Sequence, residues 1–306
     1  MEGPPGGRRV VPAPAFSLSA SRFRRSFGET LEMVKFSHTV FALPFAFLSA
    51  VLAADSLPDA ATCVKILIAM VAARSAAMAH NRLADRSIDA ANPRTASRAL
   101  PAGRISVGFA RAFLAVSILV FLAAAASLNR ATLLLSPVAL GLILLYAYTK
   151  RFTALSHLVL GLCLALAPVG AWIAVRGSLE WLPVLLGLAV LFWTAGFDVI
   201  YALQDEEFDR RAGLRSIPAR LGARRALLVS AAFHAAMLAL LVLVWRLSGS
   251  GLLLGIGILV TAVALVYQHA IVRPGDLSRV NAAFFQANGF VSVALGALGI
   301  ADVLTR

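Results

Sequence analysis

The sequence predicts an all-α, polytopic membrane protein with nine transmembrane helices. Apolar residues make up 60% of the 306-residue chain and only 14% are charged, whereas soluble domains are about half apolar and a quarter charged. The mean hydropathy is +0.83. Stretches long enough for a transmembrane helix, which takes roughly 20 apolar residues, recur along the whole chain.

Eight of the predicted helices are stretches without Asp, Glu, Lys or Arg, and a ninth is interrupted only by Arg74. In chain order the nine cover residues 36–54, 61–80, 112–129, 131–149, 152–175, 181–197, 226–245, 247–272 and 280–301. Cys63 and Cys163 lie in or beside these stretches, a hundred residues apart. They are therefore predicted to be small core residues rather than a disulfide or a metal-binding pair.

The positive charges predict the orientation in the membrane. The net charge of +13 also suits a nucleic-acid partner, but 22 of the 28 Lys and Arg residues lie in the N-terminal tail and in the loops after the second, fourth, sixth and eighth helices. Positive charge on alternate loops marks the cytoplasmic side of a bilayer. The sequence thus predicts a multi-pass protein of the inner (cytoplasmic) membrane, with no nucleic-acid partner, a cytoplasmic N-terminus and a C-terminus outside.

The chain is predicted to contain one folded unit. Residues 1–20, rich in Pro, Gly and Arg, predict a disordered cytoplasmic tail without a signal peptide, and residues 21–35 mix Phe and Leu with Arg and Glu as an interfacial helix does. Residues 21–306 are then a single membrane-embedded domain.

Two groups of polar and acidic residues follow the second and sixth helices, whereas the other connections are short and nearly free of acids. The first group consists of Asn81, Asp85 and Asp89, and the second of Asp198, Tyr201, Asp205 and Asp209. Residues three or four apart share one face of a helix. Each group is therefore predicted to present its carboxylates together at the same membrane boundary.

A divalent cation would offset the repulsion between these carboxylates. Mg²⁺ is typically held by one or two carboxylates, with waters and substrate phosphates completing its coordination. The two groups are predicted to hold two or three Mg²⁺ ions around one diphosphate. The alternative is that they are solvated loop residues paired with nearby arginines, although Asp198 follows an apolar stretch and is expected within the membrane, where acids are usually functional.

Cations are placed to complete the same site. Tyr146 and Lys150 share a face at the end of the fourth helix, where Lys150 is either a membrane anchor or a clamp for a leaving diphosphate. Arg74 lies seven residues before Asn81 and about 10 Å deeper. It is expected either to pair with Asp198 or to bind a substrate anion.

Two loops rich in turn residues and cations are predicted to cover an anionic site. The loop after the second helix carries Arg94 and Arg98, and the loop after the sixth carries Ser216 among several arginines. Positive charge on such loops favours anionic substrates.

Together these residues resemble the UbiA-type superfamily of membrane-embedded prenyltransferases. Its Asn-x3-Asp-x3-Asp motif is matched by Asn81, Asp85 and Asp89, its Asp-x3-Asp motif with an upstream aspartate by Asp205, Asp209 and Asp198, and its Tyr-x3-Lys motif by Tyr146 and Lys150. The strings NPRTASRALPAGRIS, YALQDEEFDRRAG and SIPARLG are similar to the branch that prenylates 4-hydroxybenzoate or a similar aromatic acid in quinone biosynthesis. The resemblance runs from about Lys35 to the last helix. Arg82 departs from it, since many members carry a second acid there.

The resemblance implies nine helices around a central cavity that opens sideways to lipid under a cytoplasmic cap. It also implies Mg²⁺-dependent transfer of a polyprenyl group from polyprenyl diphosphate to the aromatic acid. The implied metal ligands are Asn81, Asp85, Asp89, Asp205 and Asp209. Asn81, Arg86, Arg94, Arg98, Lys150 and Ser216 are then expected around the diphosphate.

On this hypothesis the C–O bond of the diphosphate ionises and an electron-rich ring carbon attacks the allylic cation. Asp198, with Tyr146 and Tyr201, is expected to orient the acceptor or to take the ring proton. Lys35, His38 or Arg74 is expected to bind the acceptor's carboxylate.

Other functions remain open at this stage. The acceptor is either 4-hydroxybenzoate, as in ubiquinone synthesis, or a dihydroxynaphthoate, as in menaquinone synthesis, and a macrocyclic acceptor is a third possibility. An ion-coupled secondary transporter is the alternative from another class, but it predicts acids near the bilayer midplane and broken helices in paired repeats.

Overall fold

The computed structural model describes residues 28–30 and 39–306, and it is helical throughout, with no β-strand among these residues. The helices are α1 (Thr39–Ala54), α2 (Ala60–Ala84), α3 (Arg86–Ala91), α4 (Val107–Leu128), α5 (Arg130–Thr149), α6 (Ser156–Arg176), α7 (Trp181–Ala202), α8 (Glu206–Arg211), α9 (Ile217–Leu247), α10 (Leu252–Ile271) and α11 (Val280–Leu304). A 3₁₀ turn, Leu203–Asp205, joins α7 to α8.

The nine predicted membrane-crossing segments all correspond to helices in the described part of the chain. Eight of these helices are long and apolar enough to cross a membrane, α7 being counted together with α8, and α1 is a shorter apolar helix. The predicted polytopic, all-helical fold class is therefore confirmed. The predicted tail, Lys35 and His38 lie outside the described residues.

Local sequence signals explain where several helices begin and end. Asp59, Ser106 and Asn129 precede α2, α4 and α5, and each accepts a hydrogen bond from a backbone N–H in the first turn of its helix. These are the side chains that best satisfy unpaired N–H groups at a helix N-terminus. Gly177, with φ of 72°, ends α6 in the left-handed conformation that glycine adopts without strain.

Helix α7 forms the centre of the bundle, between α6 and α9. Trp193 on α7 is fully buried and contacts the rings of Phe41, Phe45 and Phe197. On the outer surface, apolar side chains such as Leu134 on α5 are largely exposed. Apolar residues on both sides of a helix are typical of a protein surrounded by lipid.

The helices that carry the two polar groups are interrupted at the same end of the bundle, which we call the acidic end. Helix α2 ends at Ala84 and the chain restarts as α3, while α7 ends at Ala202 and continues as the 3₁₀ turn and α8. Each group therefore spans a helix break rather than lying on one uninterrupted helix. Backbone hydrogen bonds from Asp85 N to Asn81 O and from Asp89 N to Asp85 O still preserve the four-residue spacing.

The loop of residues 92–106 covers part of the acidic end. Ala99, Leu100 and Ile105 are buried in it and pack against Ala79 of α2 and Ala110 of α4. This small apolar cluster fixes the loop, and thereby its arginines, over the ends of α2 and α7.

Candidate active site

Two adjoining cavities lie between the helices. A polar cavity of about 220 Å³ opens at the acidic end, and an apolar cavity of about 370 Å³ extends from it into the bundle. Both are lined by Arg74, Met78, Asn81, Tyr146, Leu160 and Leu164. A ligand with a charged head and a long apolar tail fits this continuous arrangement.

The structure brings most of the predicted site residues together around the polar cavity. Those that line it are Arg74, Asn81, Asp85, Arg94, Arg98, Tyr146, Lys150, Asp198, Tyr201 and Asp205. They come from α2, the 92–106 loop, α5, α7 and the 3₁₀ turn after it. Residues up to 131 positions apart in sequence thus share one chamber.

The carboxylates of the first group are paired with arginines. Asp85 Oδ1 lies 3.1 Å from Arg151 Nη2, and burial raises the pKa of Asp85 above its ordinary value while Arg151 opposes the rise. Asp89 is buried just behind the cavity, with Arg98 Nη1 2.6 Å from its Oδ1 and Arg82 Nη1 3.6 Å from its Oδ2. Arg82, the departure from the family pattern, therefore lies against the acidic group.

The second group shows the same pairing. Asp205 Oδ1 accepts hydrogen bonds from Arg94 Nε at 2.8 Å and from Asn92 Nδ2 at 3.1 Å, and Arg94 Nη2 binds its Oδ2. Arg94 also donates to the Tyr201 hydroxyl at 3.3 Å. Asp209 is buried, with Lys150 Nζ 3.8 Å from its Oδ2. The cations of the loops thus neutralise the acids directly.

The residues fit a hard divalent cation once these pairs loosen. The donors are carboxylate and amide oxygens, which Mg²⁺ prefers. Asp89 Oδ2 and Asp209 Oδ2 are buried and accept no hydrogen bond in the described structure, although such atoms are normally satisfied. No three His, Cys, Asp or Glu side chains within residues 28–30 and 39–306 converge closely enough to form a metal centre. The predicted ligands are therefore gathered around the cavity but are not arranged around a single point.

Asp198 has a partner that the sequence analysis missed. Its Oδ2 lies 2.6 Å from Nδ1 of His157, which is fully buried in the first turn of α6. His157 is separated from Asp198 by 41 positions and no local motif marks it. The available signal was a histidine seven residues after Lys150 in the sequence.

Arg74 does not pair with Asp198, so that alternative is wrong. It lines both cavities, where they meet. Its Nε is shielded from solvent and has no hydrogen-bond partner in the described part of the chain. A guanidinium at this depth is costly without an anion, which favours the alternative that it binds a ligand's negative group.

An aromatic wall closes the side of the polar cavity opposite α2. Phe284 lies 4.4 Å from Tyr201 and 5.3 Å from Phe197, centroid to centroid. Phe284 belongs to a π-helical segment, Ala283–Ala287, within α11. Gln268 of α10 donates to the carbonyl of Ala283 at 2.9 Å and so supports the widened turn.

Two predicted residues have other positions. Arg86 is exposed on α3 and does not line the polar cavity. Ser216 is fully buried outside the lining, and its Oγ accepts a hydrogen bond from Ala219 N at the start of α9. Ser216 is an N-cap that does not line the polar cavity, and its contact with substrate stays a prediction.

The sequence matches one family model, described as the UbiA prenyltransferase family, over residues 42–291. Among its relatives, a 4-hydroxybenzoate octaprenyltransferase of Aeromonas hydrophila subsp. hydrophila is 34% identical over 256 residues, which cover 83% of this chain and 86% of that protein. The enzyme of the same description from Aliivibrio fischeri strain MJ11 is 31% identical, over 80% of this chain and 86% of that protein.

Solved structures share the fold. The apo structure of a UbiA homologue from Aeropyrum pernix K1 is 38% identical, with a TM-score of 0.79 over 87% of this chain and 98% of that chain. A UbiA homologue from Archaeoglobus fulgidus bound to DMAPP and Mg²⁺ is 22% identical, with a TM-score of 0.73 over 90% and 99% of the two chains. This second likeness supports the fold.

Proposed function

Because the chain belongs to the UbiA prenyltransferase family, we propose that it transfers a polyprenyl group from polyprenyl diphosphate to an aromatic acid resembling 4-hydroxybenzoate, with Mg²⁺ as cofactor. The observation that carries this proposal is the junction of a polar, acid-lined cavity with an apolar one. The relatives described as 4-hydroxybenzoate octaprenyltransferases support the acceptor and a long prenyl donor.

The acidic end binds the diphosphate in this proposal. Mg²⁺, held by Asn81, Asp85, Asp89, Asp205 and Asp209, would stabilise the negative charge that develops on the leaving diphosphate. The carboxylates must first be released from their present partners. Arg94 and Arg98 would pair with the diphosphate in place of Asp205 and Asp89, which would leave these carboxylates free to hold Mg²⁺.

Lys150 adds a further positive charge at the same point. It lines the polar cavity and is 3.8 Å from Asp209. Its ammonium can therefore hold the leaving group in place. Arg86 is exposed and is not needed for this role.

The aromatic acceptor binds deeper, beside Asp198. Asp198, Tyr146 and Tyr201 line the polar cavity, and Arg74 stands where the cavities meet with an unpaired Nε. Arg74 is our candidate for the acceptor's carboxylate, and Lys35 and His38 remain candidates for the same role. Asp198 then orients the acceptor or accepts the proton of the ring carbon that is prenylated.

The prenyl tail lies in the apolar cavity, which is lined by α1, α2, α4, α5 and α6. The chain is a multi-pass membrane protein, and we place it in the cytoplasmic membrane with its acidic end in the cytoplasm. The positive residues of that end support the orientation. Membrane lipid is thus its solvent and the source of its donor.

The experiment uses membranes that contain this protein, Mg²⁺ and a radiolabelled polyprenyl diphosphate, with 4-hydroxybenzoate or a dihydroxynaphthoate in separate reactions. Label is expected in an extractable prenylated 4-hydroxybenzoate, and EDTA is expected to abolish it. Label in the naphthoate product alone would overturn the acceptor and keep the reaction class. No product with either acceptor would overturn the proposed function.

A further inference from the structure

The buried histidine beside Asp198 is bound at both ring nitrogens. His157 Nδ1 lies 2.6 Å from Asp198 Oδ2, and the backbone N–H of Ile217 donates to His157 Nε2 at 3.3 Å. The ring therefore connects three elements: the first turn of α6, the polar end of α7 and the start of α9. His157 itself has no solvent-exposed surface.

These two contacts define the tautomer. A backbone N–H can only donate, so Nε2 is an acceptor and carries no proton. The proton of the neutral ring is then on Nδ1 and is donated to the carboxylate. Asp198 thus has Oδ2 bound from behind, and Oδ1 is the oxygen left for the polar cavity that Asp198 lines.

We propose that His157 is a positioning residue that fixes Asp198 as the proton acceptor for the prenylated ring, an inference that rests on the proposed function. During transfer the allylic C–O bond breaks and a C–C bond forms to the acceptor ring. The ring C–H bond then breaks, its electron pair returns to the ring and the proton moves to Asp198 Oδ1. His157 keeps its own proton and holds Oδ2 throughout.

His157 is not a proton relay in this arrangement. A relay needs a free acceptor at one nitrogen and a route onward from the other, and Nε2 is already bound to Ile217 N–H in a fully buried position. The proton on Asp198 must leave through the polar cavity.

Two substitutions separate the two contacts of the ring. The side-chain amide nitrogen of Asn stands near the position of Nδ1, so His157→Asn keeps a donor for Asp198 and gives up the Ile217 contact. Gln extends to the position of Nε2, so His157→Gln keeps an acceptor for Ile217 N–H and gives up the donor to Asp198. Each variant therefore keeps one of the two contacts and loses the other, and both variants carry the same side-chain amide.

The measurement is the partition of a labelled prenyl diphosphate between prenylated acceptor and prenyl alcohol, which forms when water captures the cation. Thermal unfolding in detergent is measured alongside. We expect His157→Gln to unfold near the wild-type temperature but to give a larger alcohol fraction. It should lower kcat for the aromatic product by about 10- to 100-fold, a smaller loss than the roughly 10²- to 10⁴-fold that a positioned base contributes, because Asp198 itself remains in place. His157→Asn should unfold at a lower temperature and keep transfer within a few-fold of wild type.

The opposite ranking, or equal losses with an unchanged alcohol fraction, would overturn the positioning role and leave His157 as a structural residue. A wild-type protein that forms no prenylated acceptor would instead overturn the proposed function. The two failures are therefore distinguishable in one set of reactions.

Discussion

At the scale of single residues, the acidic end is governed by charge pairs. Asp205 has both oxygens bound to Arg94, and Asp89 is held between Arg98 and Arg82. Leaving one member of such a buried pair alone is costly. The aspartates and arginines of the acidic end therefore stabilise one another in this structure.

The first prediction concerns Asp85, which lines the polar cavity and, within residues 28–30 and 39–306, forms its ion pair with the partly exposed Arg151. Asp85→Asn should lower prenyl transfer by at least about 10²-fold, the size of effect seen when one electrostatic stabiliser is removed, because the proposed site loses a carboxylate that would hold Mg²⁺. The free energy of unfolding should change by no more than about 1 kcal/mol, because both partners remain partly accessible to solvent, where an ion pair is worth little. Turnover and thermal unfolding in detergent check both expectations.

Glu207→Gln is the matched control for Asp85. Glu207 is exposed and pairs with Arg211, four residues away, so this change should leave transfer and stability as they are. Normal turnover in Asp85→Asn would contradict the proposed metal ligands.

The second prediction concerns Arg74, where the two cavities meet. Arg74→Met should raise KM for 4-hydroxybenzoate by about 10- to 100-fold, since a hydrogen bond to a charged group is worth about 1.5–3 kcal/mol and 1.4 kcal/mol is tenfold in affinity. The methyl ester of the acceptor lacks the charge and should be used equally well by both proteins. An equal rise in KM for the acid and for its methyl ester would show that Arg74 has another role.

At the scale of helices, the spacing of residues in the sequence predicted which side chains lie close together, but it did not predict the backbone conformation that brings them together. Asn81, Asp85 and Asp89 keep their four-residue intervals across the break after Ala84. No Gly or Pro marks that break, so it could not be read from the sequence. The hydrogen bond between His157 and Asp198 depends on how α6 packs on α7. This is a tertiary contact that no local sequence pattern indicates.

A third prediction concerns the link between α10 and α11 at the end opposite the acidic groups. Asp302, near the end of α11, is buried and accepts hydrogen bonds from Gly251 N at 2.6 Å, just before α10, and from Leu253 N at 2.9 Å, in the first turn of α10. Asp302→Ala should lower the free energy of unfolding by about 0.5–2 kcal/mol, as for other lost N-caps. Denaturant or thermal unfolding in detergent measures the loss.

Glu180→Ala provides the comparison for Asp302. Glu180 also precedes a helix, α7, but its side chain makes no capping hydrogen bond, so its loss should cost less than about 0.5 kcal/mol. Equal destabilisation by the two changes would show that the cap on α10 contributes nothing. Transfer per folded molecule should be unchanged in both, because neither residue lies near the acidic end.

At the scale of the whole molecule, the sequence predicted the membrane-crossing helices of the described residues because each must be about as long as the membrane is thick. The polar cavity was foreseen through its charged residues. The resemblance implied a central cavity open to lipid, but the sequence could not show which residues line its apolar part, because they are largely Ala, Leu, Ile and Gly, which elsewhere in the bundle pack together. Only the relative positions of five helices decide which apolar residues line a space.

The last prediction tests whether that space holds the prenyl tail. Gly170 on α6 lines the apolar cavity, and a Cβ placed there meets no atom within 4 Å. It lies ten residues beyond Leu160, about 15 Å deeper by helical rise, so a large side chain would leave the first part of the cavity open and fill the rest. Gly170→Phe should therefore keep transfer from geranyl diphosphate within a few-fold and lower transfer from an octaprenyl diphosphate by about tenfold or more. Competition between the two donors measures the ratio.

Gly141→Phe is the control that separates an effect on the cavity from the general effect of replacing a helical glycine with phenylalanine. Gly141 on α5 also has open space around its Cβ, but it is exposed and does not line the cavity. Both changes replace glycine in a helix, where it is the less favourable residue by several tenths of a kcal/mol, so neither should unfold the protein. If Gly170→Phe and Gly141→Phe prefer donors of the same length, the tail lies outside this cavity and its length is set elsewhere. If only Gly170→Phe prefers the short donor, the helices that enclose the cavity also determine the length of the prenyl chain that is transferred at the acidic end.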